Sequence, residues 1–84
     1  MIAVRFFASL RDAVGTAGLD LGSSRMPADL DGLLCVLRER LDGEAYAAIT
    51  GASVRIAVNQ TLVEGNAALT AGDEVAFLPP VTGG

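Results

Sequence analysis

Gly72-Asp-Glu-Val-Ala-Phe-Leu-Pro-Pro-Val-Thr-Gly-Gly84 sets a turn, an alternating strand, a proline stem and a bare diglycine end to end. Ala71-Gly72-Asp73 has turn chemistry. Glu74–Leu78 reads as the last strand, with Val75 and Phe77 on one face and Glu74, Ala76 and Leu78 on the other. Pro79 and Pro80 cannot fold back into a helix, so they hold the chain extended where it leaves the strand. Gly83 and Gly84 contribute nothing to a core and lose more freedom on ordering than any other residue. Lacking side chains, they are suited to carrying a terminal carboxylate into a narrow channel of another protein. From Leu78 to Gly84 is six residues, a reach of roughly 20 Å when extended. A rigid stem with a flexible tip over 79–84 is the predicted functional site.

Upstream, Ile2 to Ala8 alternates as a strand, with Ile2, Val4, Phe6 and Ala8 on one face and Ala3, Arg5 and Phe7 on the other. Ser9-Leu-Arg-Asp12 has the form of a capping box opening a short helix that Gly15 stops. Leu19 and Leu21 suggest a brief second strand returning beside the first. Asp29 is the expected N-cap of the main helix, which runs to about Leu41 before Asp42-Gly43 closes it. Leu30, Leu33, Leu34, Leu37 and Leu41 form its apolar stripe, and Cys35 falls off that stripe as a half-buried thiol. A second short helical stretch covers Glu44 to Ile49. Val54, Ile56 and Val58 alternate with Arg55, Ala57 and Asn59 as a third strand, and Leu62-Val63 suggests a fourth. Strands around one good helix predict an α+β domain over residues 1–84: a single sheet with that helix packed across one face. Strand parity then turns Phe7 and Leu78 away from the core, leaving an apolar patch at the base of the tail.

Composition narrows the chemistry. The chain has 84 residues, a net charge of −4, one cysteine (Cys35) and no histidine. A zinc site and a cysteine–histidine nucleophile are thereby disfavoured. The acidic balance argues against a nucleic-acid surface, which needs clustered positive charge. No apolar run approaches a membrane span and no signal-peptide layout is present, so the expectation is a cytoplasmic chain without membrane contact. All the basic residues are arginines: Arg5, Arg11, Arg25, Arg38, Arg40 and Arg55. Without lysine there is no Schiff-base amine and no side-chain acceptor for an isopeptide bond from the chain's own tail.

Phe6-Phe7-Ala8 with Arg11, Val14-Gly15, Val58-Asn59-Gln60-Thr61-Leu62, and the block Gly72 to Gly84 together resemble the small subunits of molybdopterin synthase, MoaD-like sulfur carriers of the MoaD/ThiS family. The likeness touches both ends and the third strand; the helical region matches in pattern only. It implies the β-grasp, ubiquitin-like fold, a mixed sheet whose first and last strands run parallel at its centre. It also implies that Gly84, preceded by Gly83, is adenylated and converted to a thiocarboxylate that donates sulfur to cyclic pyranopterin monophosphate. On that likeness Phe7, Leu62, Leu78, Pro79, Pro80, Val81 and Thr82 face the partner, a MoaE-like large subunit in a heterotetramer. Leu78 stands where the family often has an aromatic residue. An E1-like, MoeB-like adenylyltransferase supplies ATP chemistry, and this chain binds no cofactor or metal of its own. It is then a non-catalytic sulfur-donating subunit. The alternatives left by the residues are a sulfur carrier for thiamine thiazole synthesis, a ubiquitin-like protein modifier, and an interaction domain with an inert tail.

Overall fold

The alternation at the N-terminus forms β1 (Ile2–Phe6), with Ile2, Val4 and Phe6 buried and Arg5 exposed. The structure, a computed structural model, describes residues 1–22 and 26–80. After β1 come α1 (Ala8–Val14), β2 (Gly18–Leu21), α2 (Leu30–Arg40), α3 (Gly43–Ile49), β3 (Arg55–Val58), β4 (Thr61–Val63) and β5 (Glu74–Leu78). The strands form one five-stranded sheet in the order β2-β1-β5-β3-β4. β5 lies parallel to β1 and antiparallel to β3, so the first and last strands meet side by side at the centre of a mixed sheet. Phe6 and Phe77 are partners in that parallel register, and their rings stack with centroids 5.6 Å apart.

One face of the sheet and the helices enclose the core: Ile2, Val4, Phe6, Val75 and Phe77 from the strands, Leu10 from α1, Leu30, Leu33 and Leu37 from α2, and Ile49 from α3. Asp29 caps α2 as expected, its Oδ1 accepting from the Gly32 N–H at 2.8 Å. Its Oδ2 accepts from the Asn66 amide at 3.1 Å, and Asn66 in turn accepts from the Asp31 N–H at 2.9 Å. The backbone of Leu30 donates to Ala67 and that of Leu69 to Ala28, which fastens the β4–β5 connection to the helix start and buries Leu69.

Four local readings are corrected. β1 ends at Phe6 and Ala8 opens α1, because the chain turns as soon as it leaves the sheet. Ser9 is therefore inside the first helical turn, and the N-cap is Phe7, which makes no side-chain cap hydrogen bond. Asp42-Gly43 does not close α2 with a left-handed glycine: Leu41 is the C-cap in extended conformation, and Asp42 caps α3 by accepting from the Ala45 N–H at 2.7 Å. Both roles favour Asp-Gly, and the amphipathic stretch that follows decides for a helix start. Cys35 is exposed, not half-buried, because α2 buries only the narrow row Leu30, Leu33 and Leu37 while Leu34 and Leu41 lie at its margin. Gly15 does end α1, at φ 92°.

Candidate functional site

The helices cover one face of the sheet, and period-two alternation sends every other strand residue to the opposite face. Register aligns those residues into rows. Arg5 on β1, Ala76 on β5, Ala57 on β3 and Leu62 on β4 are consecutive partners across four strands. In the next row Leu78 partners Arg55. Phe7 extends β1 alongside it, its N–H donating to the carbonyl of Phe77 at 3.2 Å. Ala57 and Ala76, only 5% and 8% exposed, form a low floor, while Phe7 (46% exposed) and Leu62 (61% exposed) stand above it. Leu78 is half-buried between them. Large apolar groups left in water together on an otherwise polar surface mark a contact site more often than they mark waste. Phe7, Leu62 and Leu78, widely separated in sequence, are thus brought onto one face.

Phe7 is held more firmly than its exposure suggests. Its N–H is in the ladder with Phe77, and its carbonyl accepts from the N–H groups of Leu10 at 3.0 Å and Arg11 at 3.4 Å. Ala8 then turns at φ 49°, a left-handed conformation unfavourable for any residue with a Cβ. The backbone is therefore fixed on both sides while the ring projects from the sheet.

Asn59 positions Leu62. Asn59 and Gln60 take φ values of 51° and 69°, the left-handed pair that a two-residue hairpin between β3 and β4 requires. The Asn59 amide donates to Asp73 Oδ1 at 2.9 Å, and its Oδ1 accepts from the Glu74 N–H at 3.0 Å. Asp73 Oδ2 accepts from the Thr70 N–H at 2.8 Å. The segments 58–62 and 72–74 therefore button the hairpin to the start of β5; their role in this geometry is architectural.

That network has a pH signature. The Asn59 amide, and then the Thr70 N–H, hold the Asp73 carboxyl below the ordinary aspartate range. The Gly32 N–H, followed by the Asn66 amide, does the same for Asp29. Carboxylates lowered on folding add stability that is fully present above their unfolded value, near pH 4, and is lost as pH falls through the folded value. Melting temperature should therefore fall below about pH 4, and more gently in Asp73→Asn than in the parent. Identical slopes in the two proteins would remove Asp73 from that account.

At the root of the tail, Pro79 is half-buried and Pro80 exposed. With Ala52, Ser53 and Arg55 they line an open cleft of about 460 Å³. The predicted reactive pair Gly83 and Gly84, and the predicted contacts Val81 and Thr82, lie outside the described residues. Sequence alone does not single out Arg5, Arg55, Ala57 and Ala76 for this face. The alternation of β1, β3 and β5 places them there, but only the register shows which residues become neighbours.

A mixed five-stranded sheet with parallel β1 and β5 at its centre and helices across one face is the β-grasp, ubiquitin-like architecture. The small archaeal modifier protein 1 of Methanosarcina acetivorans shares it, with a TM-score of 0.76 and 28% identity over 99% of this chain and 95% of that one. So does a chain of the protein–protein complex of subunits 1 and 2 of the molybdopterin-converting factor from Helicobacter pylori 26695, with a TM-score of 0.68 and 27% identity over 99% of this chain and 97% of that one. The ThiS family matches residues 4–84, and the chain belongs to that family. The molybdopterin synthase sulfur carrier subunit of Escherichia coli (strain K12) is 39% identical to it, over 100% of both chains. No described helix is long and apolar enough to cross a membrane.

Proposed function

We propose that the chain is the sulfur carrier subunit of a molybdopterin synthase. The observation that carries this reading is the 39% identity to the Escherichia coli carrier over the whole of both chains. Chemistry supplies the steps. A carboxylate resists attack because it must expel an oxide-like group. The Gly84 carboxylate oxygen therefore attacks the α-phosphorus of ATP on an E1-like, MoeB-like partner, and pyrophosphate leaves. A hydrosulfide equivalent released by a sulfur donor then attacks the acyl carbon, AMP leaves, and loss of the S–H proton leaves a thiocarboxylate. Its sulfur is a far better nucleophile than oxygen at neutral pH. It displaces an oxygen substituent from cyclic pyranopterin monophosphate in a MoaE-like large subunit, water hydrolyses the resulting thioester and returns the Gly84 carboxylate, and two such deliveries build the dithiolene. The open sheet face, through Phe7, Leu62 and Leu78, docks that subunit, and residues 79–82 guide the tail into it. ATP binding, acid–base groups and the pterin pocket belong to the partners, in a cytoplasmic heterotetramer. This chain contributes the reagent and the docking surface.

The test is the intact mass of the chain after incubation with ATP, the adenylyltransferase and a sulfur source. The expected result is a gain equal to the exchange of one oxygen for sulfur, mapped to Gly84. An unchanged mass with a demonstrably active partner overturns the reading. Lysine conjugates through Gly84 in cell extract would instead assign a protein modifier, the role named for the archaeal neighbour.

A further inference from the structure

The docking face carries charge as well as apolar surface, and the charge is unevenly satisfied. Arg5 lies 3.7 Å from the Glu74 carboxylate, the one ion pair among the described residues. Arg55 is exposed and has no such partner there. Its strand neighbour across the ladder is Leu78, where β5 ends, and its side chain borders the cleft with Pro79 and Pro80. Glu64 follows Val63, the partner of Ile56, but forms no ion pair with Arg55. On a chain whose net charge is −4, a cation with no ion-pair partner among the described residues therefore stands beside the apolar patch and at the root of the tail.

We propose that Arg55 is a specificity-determining docking residue, and that the partner protein presents an Asp or Glu carboxylate at the mouth of the channel that takes the tail. This rests on the reading of the open sheet face given above. Apolar contact over Ala57 and Ala76 fixes where the partner sits but does not strongly select among partners with similar apolar groups. A charge at the edge of the contact selects, because a partner without the matching carboxylate leaves a guanidinium facing nothing or facing like charge.

The experiment is titration calorimetry of the full chain against the large subunit encoded by the same organism, at low and moderate salt, for the parent, Arg55→Glu, Arg55→Ala and Phe7→Arg. Arg55→Glu should weaken binding by about tenfold or more and flatten its salt dependence, with Arg55→Ala between it and the parent. Melting temperatures should match, since Arg55 makes no ion pair among the described residues. If Phe7→Arg abolishes binding while both Arg55 variants bind as the parent does, the Arg55 assignment is wrong and the docking face stands. If Phe7→Arg also binds normally, the face itself is wrong. Self-association of the chain that Arg55→Glu abolishes would assign the face to a second copy and likewise overturn the proposal.

Discussion

A chain lengthened by one residue beyond Gly84 is expected to form no thiocarboxylate while melting at the parent temperature. In the proposed mechanism the reacting group is the α-carboxylate of the last residue, so the extension would move it along the partner's channel by about 3.3–3.6 Å. Misplacement of a reacting atom by about 1 Å already costs on the order of 100-fold in rate. A shift several times larger puts the carboxylate out of reach of the α-phosphorus, and it does so without touching the buried residues, which end at Phe77 among those described. Intact mass after incubation with ATP, the adenylyltransferase and a sulfur source reads the first half, and a melting curve reads the second. Sulfur on the new terminal residue would show that position along the chain is irrelevant. Shortening by Gly84 is expected to give the same loss, since Gly83 then carries the carboxylate short of the site by a similar distance.

What was legible from sequence in this fold is what neighbours in the chain decide. Val4 with Phe6 and Val75 with Phe77 alternate, and each pair is buried in the structure. Asp29 before the leucine stripe caps α2 as its side chain allows. The misreadings share a cause: a partner distant in sequence intervened. Ser9-Leu-Arg-Asp12 is a sound capping box by local rules, yet the hydrogen bond from Phe7 to Phe77 fixes where β1 stops and so where α1 starts. Asp42-Gly43 suits a helix end and a helix start equally, and packing α3 into the core resolves it through Ile49. The open apolar face was half-legible. Parity exposed Phe7 and Leu78, but the order β2-β1-β5-β3-β4, which sets Arg55 beside Leu78 and Leu62 beside Ala57, is a property of long-range pairing. For Asn59 and Asp73 the resemblance carried a motif whose physical content, a hairpin fastened to β5, appears only in three dimensions.

Phe7→Ser is expected to leave stability within about 1 kcal/mol of the parent while weakening large-subunit binding by about 30-fold or more. Two terms of opposite sign meet at this residue in the isolated chain. The ring is 46% exposed, so its removal forfeits roughly half of the ~1.5–3 kcal/mol that full burial of such a side chain provides. Position 7 is also the N-cap of α1, in the extended conformation a cap requires, with φ −113° and ψ 151°, and with no side-chain cap bond. A serine hydroxyl there can accept from a free N–H of the first turn, worth typically about 1 kcal/mol. The gain and the loss nearly cancel. In the proposed complex only a loss remains: a ring whose backbone is already fixed by Phe77, Leu10 and Arg11 would forfeit its contact, and an aromatic hot spot carries about 2 kcal/mol or more. On the proposed docking role, a phenylalanine left at a capping position, against local preference, is explained by what it would bind and not by what it stabilises. Denaturation midpoints with calorimetric titration of the same variant decide it. A large drop in stability with unchanged affinity would make Phe7 a structural residue and take it out of the docking face.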